Sequence, residues 1–304
     1  MNKYIAFDIG GTKIKHSLLL EDGSFIEKGK YNTRRSSLTE FLNDMISVIR
    51  TYQEKCNISG VAISMPGFVN IETGYTEDAG AISILNGKNL KKLLEEKIPY
   101  NVEVENDGNC VALAEKFSGN AKNCKDFVCI TIGTGIGGGI FLNNKIIHGH
   151  NYRAGEIGYM LTPGSQVGSE IWSDNGSTSN LIRSYKQHKG LDENEEVEGK
   201  FIFQEAENNP EINRVIDDWV KRISYGIFNI AGIFNPEKIL IGGGVSANRG
   251  LVQQIENHLD QLEEWEYIKV PIETCKHKNN AGMLGALMHF LTRKGIEQKS
   301  IKSK

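Results

Sequence analysis

Asp8 ends the apolar run "YIAFDI" closely followed by Gly10-Gly11-Thr12-Lys13. A second carboxylate, Asp107, lies in "VENDGNC" beside Asn106. Two more glycine turns follow apolar runs, Gly133-Thr134-Gly135-Ile136-Gly137-Gly138-Gly139 and Gly242-Gly243-Gly244. Glycine lets backbone N–H groups approach an anion without a Cβ in the way. One such turn says little, because tight hairpins also want glycine. Three of them at strand ends are better explained by one shared ligand, and a polyphosphate nucleotide is long enough to touch all three. The first turn fits neither GxGxxG nor GxxxxGK[ST], and no helix follows it.

A carboxylate does not bind phosphate directly, but it can hold Mg²⁺ or its waters. That is one reading of Asp8; the other is a turn residue accepting local N–H groups. Lys13 suits either phosphate or solvent. Asp107 reads either as a general base taking a proton from a substrate hydroxyl or as a helix N-cap, a post that Asn106 or Asn109 could equally fill. Phosphoryl transfer asks for phosphate cradles, a metal and one carboxylate that orients the nucleophile. Asn106, "SMPG" at Ser64 to Gly67, and Glu156 in "RAGEIGY" add short polar groups that suit sugar hydroxyls or ordinary loops.

These residues need elements to hold them. "YIAFDI" and the segment from Ile14 read as two strands, with Asp22-Gly23 as the next hairpin turn. "SLTEFLNDMISVIRTYQEK" has the period of an amphipathic helix. "ISGVAISMPGFVN" reads as a buried strand, "KNLKKLLEEKI" as a helix, "VEVEND" as a short strand and "GNCVALAEKFSG" as a helix. "FVCITIGTGIGGGIFLNNKIIHG" repeats the opening theme of strand, glycine turn, strand and hairpin, which a duplicated unit would explain. A loop-rich segment runs from His150 to Thr178, and "HKGLDENEEVEGK" reads as a solvated linker. A long helix over "INRVIDDWVKRISYGIFNIAGIFN", a strand at "KILIGGGVS", a helix, a strand over "IKVPIETCK" and a C-terminal helix complete an α/β pattern.

The 304 residues are enough for about two domains, and 39% hydrophobic with 24% charged residues is ordinary for a globular protein. A net charge of −3 gives no field for nucleic acid or an anionic membrane. No stretch approaches membrane-span length, and Asp8 interrupts the first apolar run too early for a signal peptide. The five cysteines are scattered and lack CxxC spacing, as expected of reduced thiols in a cytoplasmic protein.

"FDIGGTKI", "SMPGFVN", "VENDGNCVALAEK", "ITIGTGIGGGIFLNNKIIHG", "AGEIGYM" and "ILIGGGVS" resemble, in the same order, the motifs of the ROK family of sugar kinases and repressors. The resemblance covers essentially the whole chain. It implies the actin-like, hexokinase-like (ASKHA) two-domain ATPase fold, with ATP in a cleft between the domains and a sugar as the second substrate. Carried over by position, it makes Asp8, Gly10, Gly11, Thr12 and Lys13 the first phosphate loop, with Asp8 on Mg²⁺ through water or ATP. Gly133, Thr134, Gly135, Gly137 and Gly138 belong to the second loop, and Gly242, Gly243 and Gly244 lie at the adenosine end. Asp107 becomes the catalytic base, while Gly67, Asn106 and Glu156 contact the sugar. The implied domains are 1–117, joined by a C-terminal helix over 280–304, and 118–279. Family members are often dimers or tetramers, so a homo-oligomer is expected. Only seven residues precede Asp8, so the DNA-reading segment of the repressor branch is not expected.

One departure from the family pattern is informative. Most members have a His where this chain has Tyr159, then a Cys-rich zinc motif. No cysteine occurs between Glu156 and Tyr185, so no structural zinc is expected. Glu170 aligns only loosely with the family's later sugar-binding Glu. This zinc-free pattern, with "TEDAGAI" and "CKHKNNAGMLGA", is similar to β-glucoside kinases, which phosphorylate the 6-hydroxyl of the non-reducing glucose of cellobiose and related sugars. Glucose and N-acetylmannosamine remain the alternative substrates.

Overall fold

The computed structural model describes residues 1–164, 170–248 and 250–296. In chain order the elements begin with β1 (Lys3–Ile9), β2 (Lys13–Leu20), β3 (Phe25–Asn32), α1 (Leu38–Lys55) and β4 (Gly60–Met65). Two short strands, β5 (Tyr75–Thr76) and β6 (Lys88–Asn89), precede α2 (Leu90–Glu95), β7 (Val102–Asn106) and α3 (Asp107–Ser118). Next come β8 (Phe127–Ile132), β9 (Ile136–Leu142), β10 (Lys145–Ile146), α4 (Trp172–Gly176), α5 (Thr178–Lys189), α6 (Gly199–Ala206) and α7 (Pro210–Phe234). The last elements are β11 (Lys238–Gly242), α8 (Leu251–Leu259), α9 (Trp265–Ile268), β12 (Ile272–Thr274) and α10 (Ala281–Arg293). The expected C-terminal helix therefore ends at Arg293, and its stretch beyond residue 296 lies outside the described residues.

The chain divides into two compact units. The first comprises Met1–Lys122, His148–Ala154 and the chain from Asn279 on; the second comprises Asn123–Ile147 and Gly155–Lys278.

In the first unit, among the described residues, five strands form a sheet in the order β3-β2-β1-β4-β7. β1, β2 and β3 are an antiparallel meander, while β4 and β7 add in parallel to β1. All six residues of β4 are buried, and all of β7 except Asn106 at its end, as two covered faces require. One face packs on α1, which starts at Ser37, whose side chain accepts from the Glu40 N–H. Tyr4, Ala6 and Ala62 on the other face pack with α10, in which every residue from Ala281 to Leu291 is buried. Each fully buried Leu or Phe there contributes about 1.5–3 kcal/mol.

In the second unit, among the described residues, the sheet order is β10-β9-β8-β11-β12. β8 to β10 form the antiparallel meander, and β11 and β12 add in parallel. α7, the amphipathic 25-residue helix, buries Trp219, Ile223, Ile227 and Ile230 against it. It starts at Asn209, whose side chain accepts from Glu211 and Ile212, with Pro210 at its first position, where a missing N–H costs nothing.

Two expectations are corrected. The strand expected over "IKVPIETCK" is confined to Ile272–Thr274. Pro271 has no N–H to give a ladder, although its carbonyl still accepts from Ile239 at 2.9 Å. The segment read as loops up to Thr178 already holds α4. Beyond it, α5 has few apolar residues to mark its inner face, and α6, at 8 residues, is too short to display a helical period.

Candidate active site

In the first unit, Asp8 sits on β1 opposite Lys15 on β2 and level with Ser64 on β4. That register decides its contacts. Lys15 Nζ donates to Oδ2 at 3.0 Å and Ser64 Oγ donates to Oδ1 at 3.2 Å. Gly282, in the first turn of α10, packs on the carboxylate so closely that a Cβ would fall 2.4 Å from Oδ1. The side chain keeps 19% of its surface open. A carboxylate has about four acceptor positions, so Asp8 retains capacity for a hydrated cation. That fits Mg²⁺, which sheds its waters reluctantly.

The turn after β1 is closed by the Gly10 N–H donating to Lys13 O at 3.1 Å. Thr33, just past the end of β3, pins it: its hydroxyl donates to Gly10 O at 2.6 Å and its N–H to Thr12 O at 2.9 Å. Thr12 and Lys13 are exposed.

Asn106 closes β7 and caps α3. Its Oδ1 accepts from the Asn109 N–H at 3.1 Å, and its Nδ2 donates to Gly67 O at 3.0 Å. So the N-cap is Asn106, and the exposed Asp107 is the first residue of the helix, accepting from the Gly108 N–H at 2.9 Å. Gly67 has φ +94°, and a Cβ there would fall 1.8 Å from Asp78 O. Only glycine fits this close approach in the left-handed region. The first unit thus brings Gly67, Asn106 and Asp107 together.

A buried carboxylate that the sequence reading passed over stands directly behind them. Glu105 Oε1 accepts from the Asn106 N–H at 2.8 Å and from Asn109 Nδ2 at 3.0 Å. His148 Nε2 donates to Oε2 at 2.7 Å, and His289 Nδ1 approaches the same oxygen at 3.2 Å. Burial alone would raise the Glu105 pKa, but the hydrogen bonds and charges of the two imidazoles hold it below the usual carboxylate range. The only cue in sequence was the pair Glu103 and Glu105 in a strand short enough to be buried.

In the second unit, β8 and β11 run parallel, with Gly242 level with Thr131. Both glycine turns therefore leave the same end of the sheet. Gly243 has φ +86°, and a Cβ there would lie 2.1 Å from Ile132 O. The first turn is closed by the Gly133 N–H to Gly135 O at 2.9 Å, and it accepts from the Thr178 N–H at the start of α5, also at 2.9 Å. A cavity of about 790 Å³ opens there, lined among others by Gly133, Thr134, Gly244, Val245, Lys200 and Gln204. That is the size of a nucleotide-class pocket. A Cβ on Gly244 would meet nothing within 4 Å. Gly137 and Gly138 instead lie inside β9, and Gly242 is buried in β11. Gly135 lies in the turn, where Ser173 Oγ accepts from the next N–H at 2.7 Å. Glu156 precedes a single helical turn over Ile157–Tyr159 that packs on β9; Tyr159 is 63% exposed.

Among the described residues, no group of three or more His, Cys, Asp or Glu is arranged to hold a metal ion, and no helix is long and apolar enough to cross a membrane. Residues 165–169, in the segment where the zinc motif was not expected, lie outside the described residues.

Comparison with known proteins places this geometry in context. The family model described as "ROK family" matches residues 4–293. A β-glucoside kinase of Listeria monocytogenes is 36% identical over 293 residues, covering 95% of this chain and 97% of that protein. A Klebsiella pneumoniae β-glucoside kinase is also 36% identical, with 95% and 96% coverage. Among solved structures, a Listeria monocytogenes protein for which N-acetylmannosamine kinase activity has been suggested superposes with TM-score 0.88 at 35% identity, covering 96% of this chain and 99% of that one. A Streptomyces griseus glucokinase, solved with glucose and AMPPNP, gives TM-score 0.81 at 27% identity, with 94% and 98% coverage.

Proposed function

The chain belongs to the ROK family, has the actin-like, hexokinase-like ATPase fold and is an ATP-dependent sugar kinase; from that premise we propose that it phosphorylates the 6-hydroxyl of the non-reducing glucose of β-glucosides such as cellobiose. The observation that carries the mechanism is the Asn106 link to Gly67, which holds the exposed Asp107 beside two polar sugar-binding groups.

Asp107 takes the proton from the 6-hydroxyl as its oxygen attacks the γ-phosphate in line. Asn106, Gly67 and Glu156 orient the sugar, and orientation alone lowers such a barrier by several kcal/mol. The turns at Gly10–Lys13 and Gly133–Gly135 offer backbone N–H groups to the phosphates, and the cavity beside Gly244 takes the adenosine. Asp8 is the residue that would hold Mg²⁺ through water, with Lys15 fixing the carboxylate. The chemistry Mg²⁺ would supply there is positive charge against the charge that develops on the transferring phosphate.

The choice of a β-glucoside over a free hexose follows the named relatives and the zinc-free sequence around Tyr159. A coupled ADP-release assay with cellobiose, glucose and N-acetylmannosamine side by side tests it. The expected result is the highest kcat/KM with cellobiose. Turnover with the monosaccharides alone would overturn the substrate and leave the kinase reading intact.

A further inference from the structure

We propose that Glu105 is a positioning residue for phosphoryl transfer: its buried carboxylate fixes the Asn106–Asp107 turn with one oxygen and anchors the loop His148–Ala154 with the other. The proposal rests on the reading of Asp107 as the base.

Glu105 is fully buried, a costly place for a carboxylate unless every lone pair is used. Its partners divide by oxygen. Oε1 serves the base-bearing turn through the Asn106 N–H and Asn109 Nδ2. Oε2 serves two imidazoles, from elements far apart in sequence. Such a set does more than satisfy a strand residue.

The loop it anchors is compact and strained. The Ala154 N–H donates to His148 O at 3.1 Å, and Tyr152 has φ +57°, which a non-glycine residue adopts only when its surroundings impose it. The His148 and Tyr152 rings meet edge-on at 6.3 Å. At the other end, Arg153 donates to both oxygens of Glu77 at 2.7 and 2.6 Å and lies 4.8 Å over the Phe68 ring. Phe68 follows Gly67, whose carbonyl accepts from Asn106 Nδ2. The contacts therefore close a circuit that starts and ends at the turn carrying Asp107: Glu105, His148, Arg153, Phe68, Gly67, Asn106.

Other charged and titratable groups around Glu105 do not compete for this task. Burial, then the Glu105 charge, pushes the Cys110 thiol on α3 well up, so it stays neutral. Ser64 on β4 is level with Glu105 and donates to Asp8. Glu103, two residues earlier on β7, is held by Lys91 at 3.0 Å and Lys294 at 2.9 Å, with Arg293 at 4.0 Å.

Glu105→Gln keeps the shape and removes the charge. It is expected to lower kcat about 10- to 100-fold, as a small misplacement of a reacting group does, with KM for ATP within about twofold. The decisive measurement is a double-mutant cycle on kcat with Asp107→Asn. A residue acting through Asp107 costs less than about twofold more once Asp107 is gone; a merely structural residue costs the same in either background. Losses that multiply, or a Glu105→Gln enzyme with kcat within about twofold of wild type, overturn the proposal. If Glu105→Gln fails to fold, His148→Gln, whose side chain is 21% exposed, replaces it in the same cycle, judged by the same criterion. Asp107→Asn measured alone with saturating substrates judges the base reading separately.

Discussion

The two sheets share one plan but carry opposite chemistry. In each, an antiparallel meander supplies three strands and two parallel strands follow. Asp8 on β1 and Thr131 on β8 stand at the same point, two residues before the first glycine of the turn. Asp8 is level with Ser64 and Thr131 is level with Gly242. The next strand of the first unit runs on to Gly67 and its Asn106 partner, whereas that of the second ends in three glycines. Asp8, Glu105 and Asp107 stand at the strand ends of the first plan; the strand-end turns of the second hold glycine and threonine, and the carboxylates that line its cavity, Glu198 and Glu207, come from the two ends of α6 together with Lys200. This division suits a phosphoryl transfer. A metal and a departing proton want negative groups, while the phosphates of a nucleotide want bare N–H groups such as the glycine turns offer.

The comparison can be broken at several points. The largest effect is expected from Asp107→Asn, a loss of about 10²- to 10⁴-fold in kcat, read by coupled ADP release with saturating cellobiose and ATP. Near-normal turnover would remove the base from the first unit. Gly243→Ala comes next, because its Cβ would collide with Ile132 O at a positive φ. It should destabilise the protein by about 1–3 kcal/mol and, by displacing the adjoining Gly244 that lines the cavity, raise KM for ATP about tenfold, a binding loss of about 1.4 kcal/mol; an unchanged thermal midpoint would show that the backbone yields. Thr131→Asp would place the first unit's carboxylate in the second. Repulsion from phosphate should raise KM for ATP several-fold with little change in KM for the sugar, and the difference should shrink as salt screens it.

The smallest effect concerns pH and Glu105. Its folded pKa is depressed relative to the unfolded value of about 4.3. Its ionised form therefore contributes stability that is complete above that unfolded value and is lost as pH falls toward the folded one. The gap in urea midpoint between wild type and Glu105→Gln should be widest near pH 6 and narrow toward pH 3. A gap that widens on acidification would contradict the sign.

Strands and their turns were legible because local chemistry writes them. Asp22-Gly23 announces its hairpin, and Gly23 has φ +85°. The periodic apolar positions of α1 and α7 announce those helices. α5 was not legible, for only Leu181, Ile182 and Tyr185 mark its inner face. The candidate site divides the same way. Asp8, Asp107 and the glycine turns stand in recognisable local patterns. Glu105 does not, because its partners are 43 residues away at His148 and on the last helix at His289. A buried pair joined across such distances leaves no local trace in composition or period.

The division of labour is tested most directly by titrating ATP calorimetrically into Asp107→Asn and Gly243→Ala side by side, with Mg²⁺ present. The account predicts that Asp107→Asn binds ATP within about twofold of wild type although its turnover is lost, while Gly243→Ala binds it about tenfold or more weakly. Weak binding by Asp107→Asn with wild-type binding by Gly243→Ala would contradict it.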